Sequence, residues 1–314
     1  MYSKNFFQTH FVNKNGIASF CDAKPSTMTS DIVASYLPDY ERVNDWDLVY
    51  VTSSALPHWF RFVYPSLKQQ SKKIFLVTGD SDISTPNEAL ASSDVGISQI
   101  IQDNVIQHWF AQNLDREDDD FFSHLPIGID YHTLDTRSNW GEPRTDFSSQ
   151  DRQLRILSDN AKKADWSERE IWVFSDTHLT AKTNPEDRLT AYHSLKDKPF
   201  MWFLPAPVSR SELWRLMATS KFVLSPLGNG LDCHRTWEAI ALGCVPIIKR
   251  TSLAPLFEGL PVIQVNEYED INLEVLEAFD HHRGQEYEKM TLQFWRNFIS
   301  QKCNDLMSKN ILGT

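Results

Sequence analysis

The part of this chain that most restricts its fold is the segment from residue 221 to residue 248. It predicts a strand over 221–225, a loop that contains Gly228 and Gly230, a helix, and a second strand over 245–248. Strand, helix and strand in this order form a βαβ unit, whose strands lie parallel in one sheet. Ligands of such sheets bind at the carboxyl ends of the strands, so the glycine-containing loop is the expected binding position.

The helix of this unit separates polar from apolar side chains. Asp232 suits its N-cap, and Gly243 suits the position just past its end. On a helical wheel the polar side chains fall within roughly 100° of one another; they are His234, Arg235 and Glu238. The apolar side chains share another stripe, which consists of Cys233, Trp237 and Ile240. One face therefore suits a core and the other suits polar contacts.

A helix start of this kind is how proteins hold a phosphate. It offers backbone N–H groups and the positive end of the helix dipole, and Arg235 adds a cation. Glycines let the backbone approach the ligand closely. Two structural alternatives stay open: Asp232 is only a cap, and Arg235 with Glu238 is only an i,i+3 ion pair. His234 taken alone also has an ordinary structural interpretation.

Two series of alternating strands and helices run along the chain. The first predicts strands over 47–52, 73–78, 95–97 and 122–125 and helices over 57–70 and 103–113. A polar, turn-rich stretch over 135–150 and a helix over 150–163 follow. The second predicts strands over 170–174, 200–204, 221–225, 245–248 and 262–265, with helices over 185–195, from Ser209, and over 284–308. The sequence therefore predicts two parallel-sheet domains that face a cleft.

Charge and composition exclude several classes of protein. A net charge of −11 argues against a nucleic-acid backbone as partner, although a local cluster of donors can still hold a small anion. No apolar run reaches the ~20 residues that span a bilayer, and no signal peptide is evident. The scattered cysteines favour reduced thiols in a cytoplasmic protein. The acidic run from Asp115 to Asp120 is interpreted as a solvated loop rather than a metal site.

The motif from Ser225 to Ala239, followed by Leu242 to Ile248, resembles the C-terminal signature of exostosin-like glycosyltransferases. The blocks Trp109–Asn113 and Pro126–Asp130 are similar to N-domain segments of small bacterial, algal and viral members. Eukaryotic exostosins carry a membrane anchor and a lumenal stem. This chain shows neither, so we expect a soluble form of the enzyme.

The resemblance implies an α/β protein with the GT-B fold, in which two Rossmann-like parallel-sheet domains face a cleft. It assigns residues 1–165 to an acceptor-binding N-terminal domain and residues 166–284 to a C-terminal domain that binds the nucleotide-sugar. The terminal helix, residues 285–314, is expected to cross back to the N-terminal domain.

The resemblance also implies that the loop before the motif helix holds the donor diphosphate. Arg235 is expected to stabilise the leaving group with a permanent charge and a bidentate donor fork, and Glu238 to accept hydrogen bonds from ribose hydroxyls. His234 is expected to contact the phosphate or the donor sugar. The predicted donor-binding residues of this region are Ser225, Gly228, Asn229, Gly230, Asp232, His234, Arg235 and Glu238.

A second candidate for donor binding is the helix start over residues 183–188. Thr183 or Asn184 caps this helix, Pro185 lies in its first turn, and Arg188 is placed to reach the same phosphates. The alternative is an ordinary surface helix start with a solvated arginine.

An inverting transfer needs a general base that takes the proton of the acceptor hydroxyl. Asp80 is the predicted base and Asp82 the reserve, because both follow a predicted strand at its carboxyl end. The alternative is that both are turn formers after a glycine. His58 and His108 are further candidates, each with a structural alternative.

We therefore expect a glycosyltransferase that moves a sugar from a nucleotide-diphosphate donor, such as UDP-xylose, to a hydroxyl of a glycan acceptor with inversion. We expect no metal and no cofactor, since fixed donors stabilise the leaving diphosphate and GT-B enzymes commonly need no metal. Two other hypotheses stay open. One is a GT-B sugar epimerase or hydrolase, and the other is a non-catalytic module that binds nucleotides or glycans.

Overall fold

The computed structural model describes residues 9–26, 38–177, 184–279 and 287–312. The chain forms two compact units, and each contains its own parallel sheet. Among the described residues, the first unit comprises Lys14–Ile127 and 292–312, and the second comprises 9–13 and Gly128–Thr291. The α/β class and the two parallel sheets predicted from the sequence are confirmed.

The sheet of the first unit has four parallel strands in the order β1-β2-β3-β4. They are β1 (Leu48–Thr52), β2 (Ile74–Gly79), β3 (Ile106–Gln112) and β4 (Phe122–Leu125). The short helix α1 (Lys14–Ser19) precedes the sheet, and others lie between its strands: α2 (Leu56–Phe62), α3 (Tyr64–Gln69) and α4 (Ile97–Asp103). All residues of β1 and β2 are buried, as expected for parallel strands that are covered on both faces.

The second unit contains five parallel strands in the order β6-β5-β7-β8-β9. They are β5 (Ile171–Ser175), β6 (Met201–Phe203), β7 (Ser220–Leu224), β8 (Val245–Lys249) and β9 (Ile263–Val265). The helices are α5 (His132–Thr136), α6 (Phe147–Lys163), α7 (Pro185–Leu195), α8 (Arg210–Ala218), α9 (His234–Ala241) and α10 (Leu273–Ala278). The predicted βαβ unit is present as β7, α9 and β8.

The last helix, α11 (Leu292–Leu312), belongs to the first unit. It packs on α1 and β3, where the rings of Phe298 and Phe110 lie 6.1 Å apart between centroids.

The compact units divide the chain after Ile127, whereas the sequence analysis divides it after residue 165. The difference lies in α6, which packs on α8 and α9 of the second unit. Its Gln150 accepts a hydrogen bond from Arg210 at 3.0 Å, and its Asp151 accepts one from the backbone N–H of His10 at 3.0 Å. These contacts attach the segment after Ile127 to the second unit.

Two of the predicted elements in the first unit are wrong. Residues 103–113, predicted as a helix, contain β3, and the strand predicted over 95–97 is instead the approach to α4. Because β3 lies between two other strands and is buried on both faces, its apolar run does not alternate and cannot be told from a helix by periodicity. The helix predicted over 57–70 is divided into α2 and α3 at Val63.

His108 is a structural residue of β3 and is 0% exposed. Its Nδ1 donates to the carbonyl of Asp120 at 3.0 Å, and its Nε2 accepts from the hydroxyl of Ser123 at 2.9 Å. Burial lowers the pKa of His108 to about 4, because the imidazolium ion is poorly solvated there. With both nitrogens engaged inside the sheet, His108 is not a general base.

We predict that the protein loses stability as the pH falls from ~6.5, the pKa of an unfolded histidine, towards about 4. In this window the unfolded chain binds a proton at His108 that the folded chain does not. The contribution is therefore fully present above the unfolded pKa. Near pH 5 the expected loss from this residue is ~2 kcal/mol.

The measurement is urea unfolding near neutral pH and near pH 5 for the wild type, His108→Gln and His58→Gln. His58 is exposed and serves as the matched control. We expect the wild type and His58→Gln to share one pH dependence and His108→Gln to show a shallower one. The same slope in all proteins would contradict the assignment.

Candidate functional site

The first turn of α7 fastens the glycine-containing loop that follows β7. The side-chain amide of Asn184 donates to the carbonyl of Gly228 at 2.9 Å. Asp187 accepts from the backbone N–H of Leu227 at 2.9 Å, and Nε of Arg188 donates to the carbonyl of Leu227 at 3.0 Å. The structure thus brings together the two segments that the sequence analysis proposed separately for donor binding.

Two arginines lie close to each other beside this loop. Arg235, in the first turn of α9, forms an ion pair with Asp176, and the side chains are only 10% and 12% exposed. Burial opposes the charge of Arg235, but the Asp176 carboxylate raises the pKa of Arg235 above its ordinary value. Burial, and then the charge of Arg235, lower the pKa of Arg188. The two guanidinium groups are candidate ligands for an anion, and the carboxylates of Asp176 and Asp187 offset part of their charge.

Asp176 is a site residue that the sequence analysis missed. It directly follows β5, so it occupies the carboxyl end of a strand of the parallel sheet. Its position just after a predicted strand could have identified Asp176 from the sequence, because side chains at the carboxyl ends of strands in parallel sheets face the usual ligand site.

Asp232 is not the N-cap of α9, which corrects the sequence-based assignment. Cys233 occupies that position and makes no side-chain cap bond. Asp232 is 4% exposed, and its carboxylate accepts from Nε1 of Trp237 at 2.9 Å and from the backbone N–H of Cys233 at 2.8 Å. Asp232 therefore ties the loop to the buried side of α9.

Glu238 is 7% exposed and lies one turn into α9. Its Oε1 accepts from Nη2 of Arg210 at 2.9 Å, so the expected alternative of an ion pair with Arg235 is not formed. The guanidinium of Arg210 also lies against the rings of Trp140 and Trp214, at 5.2 and 4.4 Å from their centroids. Burial raises the pKa of Glu238, and Arg210 opposes this shift. The carboxylate is thus held in one orientation near the start of α9.

Asp130, His132 and His234 form a cluster at the start of α9. Nδ1 of His132 lies 2.7 Å from Oδ1 of Asp130, and the rings of the histidines lie 5.8 Å apart between centroids. Burial would raise the pKa of Asp130, but the adjacent His132 and the nearby His234 hold it well below its ordinary range. Asp130 and His132 were not proposed as site residues, because no pattern in the sequence joins them to His234 across a hundred positions.

Gly128 fixes the position of His234. Nδ1 of His234 lies 2.6 Å from the carbonyl oxygen of Gly128. Gly128 has a φ of +66°, and a Cβ atom there would lie 2.2 Å from the backbone oxygen of Val12. Only glycine fits this turn, so the carbonyl that receives His234 depends on it.

The remaining predicted donor-binding residues lie in or next to the loop. Ser225 is buried, and its hydroxyl lies 2.9 Å from the hydroxyl of Thr236. The carbonyls of Gly228 and Asn229 both accept from Asn184. Thr183 lies outside the described residues.

The predicted base lies in the first unit, directly after β2. Asp80 is 2% exposed and forms an ion pair with Lys14 of α1, which no feature of the sequence indicated. Its backbone N–H donates to Oε1 of Gln112 at 3.1 Å. Within the described residues, Oδ2 of Asp80 has no hydrogen-bond partner. Asp82 is exposed.

Comparisons with known proteins give no sequence match, either to a protein-family model or to a curated protein. Similar solved structures include OtsA in its apo form, at 12% identity over 89% of this chain and 78% of that chain, with a TM-score of 0.45. A UDP-forming α,α-trehalose-phosphate synthase from Burkholderia xenovorans is 12% identical over 88% of this chain and 80% of that chain, with a TM-score of 0.41.

The N-terminal domain of trehalose-6-phosphate phosphatase from Candida albicans is 14% identical over 90% of this chain and 77% of that chain, with a TM-score of 0.40. Because the identities and TM-scores are this low, these similarities establish neither a family nor an activity for the chain. The exostosin-like resemblance stays a prediction. Among the described helices, none has the length and apolar character to cross a bilayer.

We predict that Trp237→Phe destabilises the protein more than Trp59→Phe does, by roughly 1–3 kcal/mol. Both tryptophans are buried, and both changes remove the same atoms. Nε1 of Trp237 donates to buried Asp232, whereas Nε1 of Trp59 has no hydrogen-bond partner within the described residues. The difference between the two variants in urea unfolding therefore measures the hydrogen bond, and equal losses would show that Asp232 does not depend on it.

Proposed function

We propose that this chain is a GT-B glycosyltransferase of the exostosin-like kind, which transfers a sugar from a nucleotide-diphosphate donor to a glycan hydroxyl. The observation that carries the proposal is the pair of arginines beside the glycine-containing loop. Arg235 is held by Asp176, and Arg188 is held by the carbonyl of Leu227, at the carboxyl ends of β5 and β7. This arrangement suits a diphosphate, which carries more negative charge than one cation neutralises.

Departure of a nucleoside diphosphate builds up negative charge on its outer phosphate. Arginine stays protonated at any working pH, and its planar fork matches phosphate oxygens. Since Asp176 and the loop backbone already hold Arg235 and Arg188, little reorganisation is needed when the charge develops. The proposed leaving-group stabilisation therefore comes from side chains and requires no metal at the diphosphate.

The proposed contacts of the nucleoside follow from the same helix. Glu238 accepts hydrogen bonds from ribose hydroxyls, and its ion pair with Arg210 sets the direction of the carboxylate. The backbone of Gly228, Asn229 and Gly230 holds the phosphates, with Asn184 fixing the loop. We propose a UDP-sugar such as UDP-xylose as donor and inversion at the anomeric carbon.

Asp80 remains our proposed general base, with Asp82 as the reserve. The ion pair with Lys14 fixes Oδ1 of Asp80, and Oδ2 is the oxygen that would take the proton of the acceptor hydroxyl. Because the Asp80 side chain is only 1% exposed, this role requires a rearrangement that exposes Oδ2 when an acceptor binds.

A second candidate function is a module that binds a nucleotide or glycan without transferring a sugar. The burial of Asp80 and its pairing with Lys14 favour this alternative, because both features also describe a structural aspartate. Release of UDP from UDP-sugars, measured with and without a panel of glycosides, separates the two functions. Acceptor-stimulated release supports the transferase, and tight UDP binding without release under any acceptor supports the module.

We predict that Arg235→Lys weakens the binding of UDP at least tenfold, or ~1.4 kcal/mol. Lysine keeps the charge, and so compensates Asp176, but it lacks the donor fork. Isothermal titration with UDP measures the affinity. Arg215→Lys is the matched control, since Arg215 is an exposed arginine that pairs with Glu212 on the surface of α8. Equal affinities of Arg235→Lys and the wild type would exclude Arg235 as a phosphate ligand.

We predict that Asp80→Asn leaves the UDP affinity unchanged and lowers acceptor-stimulated UDP release by roughly a hundredfold or more. Asparagine has the same shape but cannot take up a proton. Asp82→Asn is the matched control, because Asp82 is an exposed neighbour on the same loop. Undiminished turnover in Asp80→Asn would remove it as the base, and a loss in Asp82→Asn alone would transfer the role to the reserve.

A further inference from the structure

The fold brings Asp130, His132 and His234 together from distant parts of the sequence. Asp130 follows the turn at Gly128, His132 begins α5 and His234 begins α9. One potential ligand atom from each of the three side chains lies within 4.8 Å of the other two. Two imidazoles and a carboxylate are a ligand set for Zn²⁺ and related divalent ions of the first transition row.

Two of these side chains are oriented by contacts of the kind that surround protein metal sites. The carboxylate of Asp130 accepts from the backbone N–H of Thr133 at 3.0 Å and from its hydroxyl at 2.8 Å. Nδ1 of His234 donates to the carbonyl of Gly128 at 2.6 Å. A carbonyl can only accept, so the proton of neutral His234 is on Nδ1 and the lone pair is on Nε2.

The contact between His132 and Asp130 brings a potential nitrogen ligand next to a potential oxygen ligand. Nδ1 of His132 lies 2.7 Å from Oδ1 of Asp130, yet within the described residues Nδ1 has no hydrogen-bond partner. At metal–ligand distances of about 2.0–2.2 Å, the ligand atoms of a tetrahedral ion lie about 3.4 Å apart, so these two atoms would move apart slightly when an ion binds. A metal ion bound between Nδ1 of His132 and Oδ1 of Asp130 would engage both atoms.

The charges around the cluster leave room for a cation. Asp130 is buried, and a buried carboxylate needs a compensating charge. The guanidinium of Arg210 is nearby, but it forms an ion pair with Glu238 at 2.9 Å. In the described part of the chain, Asp130 has no ion pair with a lysine or arginine, and only His132 is paired with it.

We propose that Asp130, His132 and His234 bind one Zn²⁺ ion, which fastens the start of α9 to the turn at Gly128. Three protein ligands leave the fourth position of a tetrahedral ion to water or to an oxygen of a bound molecule. The ion would take the place of the contact with phosphate or donor sugar that the sequence predicts for His234, and the inference holds whether or not the chain transfers a sugar.

The test uses the full chain after removal of metal by a chelator and dialysis. Isothermal titration with Zn²⁺ is expected to show one ion per chain, and thermal unfolding is expected to shift to higher temperature in Zn²⁺. His132→Ala and His234→Ala are each expected to lose roughly a hundredfold or more in Zn²⁺ affinity and to lose the thermal shift. His132→Gln keeps more of the side-chain volume and is measured in parallel, so that misfolding of the alanine variant cannot be mistaken for loss of a metal ligand.

His193→Ala is the matched control, because His193 lies on α7 of the same unit and contacts the ring of Tyr192 instead. It is expected to keep the affinity and the thermal shift of the wild type. The proposal is overturned if the wild type does not bind Zn²⁺, or if the His132 and His234 variants bind it as tightly as the wild type. Absence of Zn²⁺ binding together with a loss of UDP release in His132→Ala at unchanged UDP affinity would instead make His132 a base oriented by Asp130, which also overturns the metal site.

Discussion

The ion pair between Arg235 and Asp176 is the interaction on which the candidate site depends. It joins the end of β5 to the first turn of α9, so the position of the guanidinium is set by the sheet rather than by a loop. Removing one partner of a buried pair leaves an uncompensated charge, which typically costs ~3–5 kcal/mol. The pair therefore ties the electrostatics of the site to the stability of the second unit.

The sequence was sufficient to predict those elements whose signals come from residues close together in the chain. The βαβ unit over β7, α9 and β8, and the start of α7 at Pro185, follow from glycines, a proline and apolar runs within a few residues of one another. The strand β3 was mistaken for a helix, because a strand buried on both faces shows no alternation. The N-cap of α9 was misassigned because Asp232 turns to the indole of Trp237, a choice that depends on how the helix packs.

Only those parts of the site whose residues lie in segments with a recognisable motif could be predicted from the sequence. The contacts of Asn184, Asp187 and Arg188 with the loop join residues about forty positions apart, and both segments carried a signal of their own. Asp130 and His132 carried none, because their relation to His234 arises from a backbone turn that only Gly128 can adopt. The ion pair of Lys14 with Asp80 could not be predicted either, since a lone lysine on a short helix does not indicate its partner.

The assignment of α11 to the first unit has a consequence for how the chain reaches its native state during synthesis. The first unit lacks its closing helix until residues 292–312 have been synthesised, because α11 packs on α1 and β3. The second unit likewise includes residues 9–13, which precede the first unit's residues 14–127 in the chain. Each unit is therefore discontinuous along the chain, and the first cannot complete its core until residues 128–291 of the second have been synthesised.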